Sequence, residues 1–234
     1  MAPRTATLGL MAIREDPRRH GPLLVVTVFS LAVQGTVAPG DLQQVVVTAL
    51  GGAVLLLAFR AAELPRWAVR SATALALVIL ALSVVRATAG GIGEGAVRAM
   101  NATLLVFGPP AVAVGVVREL RLSGRVRLDA VLGVLSLYML LGMLFGFVYG
   151  ALDRFGDEPF FAGAEPATVS HCLYFSFTTL TTVGYGDFVA QTDLGHTLAV
   201  FEALIGQIYL VTVVSLIVGN LGRPTSRDRA ADET

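Results

Sequence analysis

A chain of 234 residues that is 55% hydrophobic and only 15% charged, with a mean hydropathy of +0.73, has too little polar side chain to cover a water-soluble domain. Its formal net charge is zero, which by itself says nothing about nucleic acid; all 17 of its basic residues are arginine, and no nucleic-acid patch stands out. The solvent that these numbers call for is a lipid bilayer.

Residues 1–21 are polar and arginine-bearing, with no apolar stretch leading to a small-residue cleavage site. They are expected to stay as a cytoplasmic N-terminal segment rather than leave as a signal peptide. Four apolar runs follow, at 22–38, 43–59, 67–86 and 101–117, each near the roughly 20 residues that a spanning helix needs. Together they predict a four-helix transmembrane domain over 22–117. The fourth run holds no arginine, whereas a voltage-sensing helix needs arginines repeated through the membrane, so strong voltage sensing is not expected. Pro109 and Pro110 lack N–H donors and should break the helix there. The polar stretch 118–128 reads as a cytoplasmic linker, and two further spans are expected at 129–152 and 195–221. Between them the apolar run 169–181 is too short to cross and reads as a re-entrant helix, and 222–234 reads as a cytoplasmic tail too short for a regulatory domain. With six spans both termini share a side. That side collects fourteen arginines, and the other holds Arg86, Arg98 and Arg154, which places the termini in the cytoplasm.

The short helix runs into Thr181-Thr182-Val183-Gly184-Tyr185-Gly186-Asp187. Gly184 and Gly186 tolerate backbone dihedrals that residues with a Cβ avoid, which lets a strand stack its carbonyl oxygens around an ion. Thr182 adds a hydroxyl, while Val183 and Tyr185 would point away from the axis. One chain supplies one such strand, and a closed ring needs several. Thr182 to Asp187 resembles the selectivity-filter signature of tetrameric potassium channels, and the likeness extends over about 128–221, nearest to voltage-independent bacterial types. The resemblance implies a homotetramer with an outer helix at 129–152, a pore helix at 169–181, a filter at 182–186 and an inner helix at 195–221. Potassium would be held by carbonyls of Thr182, Val183, Gly184, Tyr185 and Gly186. Thr181 would close the pore helix, whose C-terminal end favours a cation, and Asp187 would ring the outer mouth. Where many relatives have a tryptophan pair bracing the filter, this chain has Tyr174 and Phe175, and Thr178 stands where some have a buried acid.

Glu202 is the one acid inside an expected span; it should face protein, with a pore-helix backbone group or a hydroxyl such as Thr178 or Thr179 as its partner. Gly206 lies mid-span and is read either as a gating hinge or as a point of tight packing against the pore helix. Cys172 is a small packing residue, and His171 and His196 flank the mouth, solvated or proton-sensing. No metal cluster or nucleophile–base pair is visible, so neither an enzyme nor a cofactor beyond filter potassium is expected. The fold class is an all-α integral membrane protein, six spans and one re-entrant loop per chain, in contact with lipid and located in the cell membrane. Its expected function is passive, selective potassium conduction. The alternatives are a non-conducting or regulatory membrane subunit and a poorly selective cation channel.

Overall fold

A computed structural model of the chain describes residues 20–36, 40–91, 93–123, 128–163 and 167–221. Among them the regular structure is helical: α1 (His20–Thr36), α2 (Asp41–Ala61), α3 (Arg66–Ala89), α4 (Glu94–Val106), α5 (Gly108–Ser123), α6 (Leu128–Phe155), α7 (Val169–Leu180) and α8 (Asp193–Leu221). Most of the N-terminal segment, the middle of the linker with Arg125 and Arg127, and the whole tail lie outside the described residues. Apolar side chains leave the backbone to satisfy its own polar groups in hydrocarbon, and a helix does so within one segment. Among the described residues five spans are long and apolar enough to cross: α2, α3, Gly95–Arg118, α6 and α8 over Asp193–Val213; α1, at 17 residues, is apolar but shorter. The protein is an all-α integral membrane protein.

The span expected at 101–117 is observed as Gly95–Arg118, within which α4 and α5 meet at Phe107. The prolines do not sit at the break itself. Pro109 and Pro110 fall in the first turn of α5, where a missing N–H leaves no bond unmade, and the interruption comes just before them. α4 also begins earlier than the expected span and so takes in Arg98, which is 3% exposed.

Two helices organise the packing. α2 touches α1, α3, α4 and α5, and α6 touches α1, α4, α5, α7 and α8. Leu23, Val54, Leu105, Val112, Leu140, Met143, Phe147 and Leu173 join the first helices, α6 and α7 in one buried core. Along α6, Gly142, Gly146 and Gly150 recur every fourth residue and form a smooth strip, a spacing that lets helices approach closely. A Cβ on Gly142 would stand 2.7 Å from the Phe177 ring, one on Gly146 would stand 2.7 Å from Leu173, and one on Gly150 would press on Arg98 at 3.4 Å. α7 thus lies in a groove that only glycine leaves open. α8 meets only α6 and α7 among the described helices, and Val200, Phe201, Leu204, Ile208 and Val211 on it are more than half exposed.

Candidate functional site

α7 is capped at its start by Thr168, whose hydroxyl accepts from the His171 N–H at 3.1 Å. At its other end the chain turns sharply but stays tied to the helix. Thr182 N–H donates to the Thr179 carbonyl (2.9 Å), and the Val183 and Gly184 N–H groups both donate to the Thr178 carbonyl (2.8 and 3.1 Å). Thr181 closes the helix with its N–H on the Phe177 carbonyl (3.0 Å) and its hydroxyl on the same oxygen (2.6 Å). Beyond it, left-handed dihedrals occur at Thr182 (φ 59°), Gly184 (φ 51°) and Gly186 (φ 80°), with none at Val183 or Tyr185 between them. In a β-strand successive residues alternate in direction, whereas alternating left- and right-handed turns can bring successive carbonyls to one side. The glycines were expected to supply this. The threonine was not, and for a β-branched residue that region costs about 1–2 kcal/mol. The hydrogen bonds to Thr178 and Thr179 hold it there. No atom lies within 4 Å of where a Cβ would sit on Gly184 or Gly186.

Behind this loop the Tyr174 hydroxyl donates to Asp187 Oδ2 (2.8 Å), and its ring lies nearly parallel to Tyr185, with centroids 6.2 Å apart. Asp187 also accepts from the Phe188 N–H at 3.1 Å. Phe175 donates no hydrogen bond and contributes ring contacts instead, edge-on to Tyr149, Phe160 and Phe161. The segments before and after α7 and its loop are joined by a bridge at Phe161 and Ala190, with Ala162 N–H on Val189 and Gln191 N–H on Phe160. Asp153, at the end of α6, binds the Phe160 and Ala167 N–H groups (3.1 and 3.0 Å), and Arg98 of α4 donates to the Ala167 carbonyl at 2.8 Å. The His171 ring lies tilted against Phe188 with centroids 4.8 Å apart, His196 is exposed at the start of α8, and Cys172 is fully buried.

Glu202 is fully buried between α6, α7 and α8, as an acid deep in a span must be. Its partners differ from those expected. Tyr149 donates to Oε2 at 2.7 Å and Ser176 to Oε1, while the Thr178 hydroxyl turns back to the Phe175 carbonyl of its own helix at 3.0 Å. Ser176, two residues earlier, faces α6 and α8. At Gly206 the packing against α7 is tight. A Cβ there would overlap the Leu180 carbonyl oxygen, and α8 runs unbroken from Asp193 to Leu221. That same carbonyl accepts from the Tyr138 hydroxyl at 3.1 Å.

No group of three acidic, cysteine or histidine side chains could hold a metal among the described residues. What the loop offers an ion is backbone oxygen. The bracing by Tyr149, Ser176 and Tyr138 was not anticipated from sequence, because their partners lie 26 to 53 residues away. The glycine strip on α6, by contrast, could have been found from its spacing of four.

Residues 133–222 match the family described as "Ion channel". Over 93 residues the chain is 33% identical to the inward rectifier potassium channel Kirbac3.1 of Paramagnetospirillum magnetotacticum, covering 40% of this chain and 30% of that protein. Over 71 residues it is 35% identical to the calcium-activated potassium channel slowpoke of Drosophila melanogaster, covering 30% of this chain and 6% of that one. The match therefore spans less than a third of either relative's length. No solved structure matches the chain significantly. The segment built from α6, α7, the glycine-bearing loop and α8 is thus the part of the chain that is similar to the ion-channel family and to two proteins named as potassium channels.

Proposed function

We propose that the chain is one subunit of a homotetrameric potassium-selective channel, passing potassium passively across the cell membrane. The observation that carries this reading is the run of left-handed dihedrals at Thr182, Gly184 and Gly186, pinned to the end of α7 by three N–H bonds. Carbonyls of Thr182, Val183, Gly184, Tyr185 and Gly186, with the Thr182 hydroxyl, would replace the water shell of a dehydrated potassium ion, and Asp187 would draw cations to the mouth. The bare apolar face of α8 and the exposed side chains of Tyr185 and Val183 support assembly with three further copies, lipid covering what remains. Both termini would be cytoplasmic, with Arg86, Arg98 and Arg154 on the outer side.

Strong voltage gating is not part of the proposal. Within the span Gly95–Arg118 the basic residues are Arg98 and Arg118, one near each end, not a ladder through the membrane. Arg98 is bound to the pore-helix loop, and Arg118 lies 3.1 Å from Glu63.

The test is ion flux in liposomes containing only this protein, with potassium and sodium gradients compared and barium added. Barium-sensitive flux of potassium over sodium from a tetramer supports the reading. Equal sodium flux would mean a poorly selective channel, and a verified tetramer that passes neither ion under any membrane potential or lipid composition would point to a non-conducting subunit.

A further inference from the structure

Ala167 is fully buried and stands just before Thr168, the cap of α7. It is held from two sides. Its N–H donates to Asp153 Oδ2 at the end of α6 (3.0 Å), and its carbonyl accepts from Arg98 Nη1 of α4 (2.8 Å). The same nitrogen lies 3.5 Å from the Gly150 carbonyl of α6, while the second oxygen of Asp153 accepts from the Phe160 N–H at 3.1 Å. Asp153 and Gly150 belong to the pore segment, but Arg98 comes from the helices before it.

The fit around Arg98 is close. A Cβ on Gly95, one turn earlier on α4, would stand 2.8 Å from the Arg154 Cβ, and one on Gly150 would stand 3.4 Å from Arg98 Cδ and Nη1, so glycine on both helices lets the guanidinium reach the start of α7. Arg98 is 3% exposed, and a charge buried to that degree is tolerated only where acceptors meet it, which ties its position to the carbonyl it binds. The connections beyond Ala167 are tight as well. Thr168 takes the His171 N–H on its hydroxyl and the Cys172 N–H on its carbonyl, both at 3.1 Å. At the far end of this 12-residue helix, the Thr178 and Thr179 carbonyls hold the N–H groups of Thr182, Val183 and Gly184. A hydrogen-bonded helix of about three turns moves as a unit, so the place of its first residues sets the place of its last carbonyls.

We propose that Arg98 is a positioning residue for the filter: by fixing Ala167 it sets the seat of α7, and through it the upstream helices sustain selectivity. Its effect on flux rests on the channel reading, whereas its effect on α7 is measured without any flux.

The test pairs hydrogen exchange of the full-length chain in lipid nanodiscs with potassium and sodium flux in liposomes, for the parent, Arg98→Gln and Arg98→Lys. Loss of a hydrogen bond from a charged donor should raise the exchange rate of the Ala167, His171 and Cys172 amides in Arg98→Gln by about tenfold, with α2 and α3 unchanged, and lower the potassium-to-sodium flux ratio by a factor of the same order. Arg98→Lys should restore both, because one nitrogen serves both carbonyls and an ammonium can take its place. If Arg98→Gln does not assemble, Asp153→Asn, which removes an acceptor from the other side of Ala167, must speed exchange at the same amides and lower the same ratio. Exchange at α7 that is unchanged in these variants, exchange that rises with selectivity undiminished, or a lysine variant no better than glutamine overturns the proposal. A parent that passes no potassium would sink the channel reading instead, and the exchange rates with lysine rescue would still decide whether Arg98 seats α7.

Discussion

Tyr149 of α6 donates its hydroxyl proton to Glu202 of α8 at 2.7 Å, while the other oxygen of that carboxylate meets Ser176 of the pore helix. One buried side chain thus ties together all three helices of the pore segment. Glu202→Gln preserves an acceptor for Tyr149 and should keep both fold and potassium-over-sodium selectivity. Glu202→Leu strands the tyrosine and serine hydroxyls and should cost about 1–3 kcal/mol. Thermal unfolding of the assembled protein, together with the flux ratio of the two ions, separates these outcomes; a glutamine variant that loses selectivity would place Glu202 in the permeation path instead.

The Leu180 carbonyl, where α7 ends, is held from two sides, by the Tyr138 hydroxyl and by the bare backbone of Gly206. Gly206→Ala puts a methyl group into that oxygen and should destabilise the assembly by about 1–3 kcal/mol or more, seen as a lower melting temperature and a smaller tetramer fraction in size-exclusion chromatography. Tyr138→Phe removes only a hydrogen bond and should cost about 1 kcal/mol. An alanine variant as stable as the parent would contradict the packing role and reopen the hinge.

At the mouth, Tyr174 and Asp187 form one unit. Tyr174→Phe and Asp187→Asn should each shorten the time for which potassium current is sustained. The double variant should be no worse than the more severe single one, since coupled sites do not add. Single-channel recording in planar bilayers supplies the cycle, and additive effects would show that the hydrogen bond carries no function.

Thr182 combines a costly backbone conformation with a hydroxyl. Thr182→Ser keeps the hydroxyl and should retain barium-sensitive flux. Thr182→Val keeps the shape alone and should weaken barium block by about tenfold through loss of one oxygen ligand at the inner end of the loop. Concentration dependence of block in liposomes decides the matter.

Much of this molecule is legible in its sequence because the bilayer imposes simple rules. Apolar length marks α2, α3, α6 and α8, and the two glycines after Thr182 carry their own stereochemical meaning. What escapes is whatever depends on rotation about a helix axis. Thr178 and Ser176 are equally plausible partners for Glu202 by composition, and only the docking of α7 onto the glycine strip of α6 turns Ser176 toward it. Likewise Arg86, Arg98 and Arg154 are recognisable in the sequence as belonging to one side, but their convergence on one cavity follows from which helices are neighbours. The left-handed threonine is illegible for a different reason. Local preference argues against it, and hydrogen bonds from the following loop override that preference.

The interruption at Phe107 has a mechanical meaning. α4 and α5 have 13 and 16 residues, and at 1.5 Å per residue they are struts of about 20 and 24 Å, each shorter than the hydrocarbon slab they stand in. Phe107 between them keeps helical dihedrals (φ −84°, ψ −15°), so the two halves form one nearly continuous column. That column is anchored through Arg98 to the loop that leads into α7 and packs along α2 and α6 over both halves, so it braces that loop against the upstream helices.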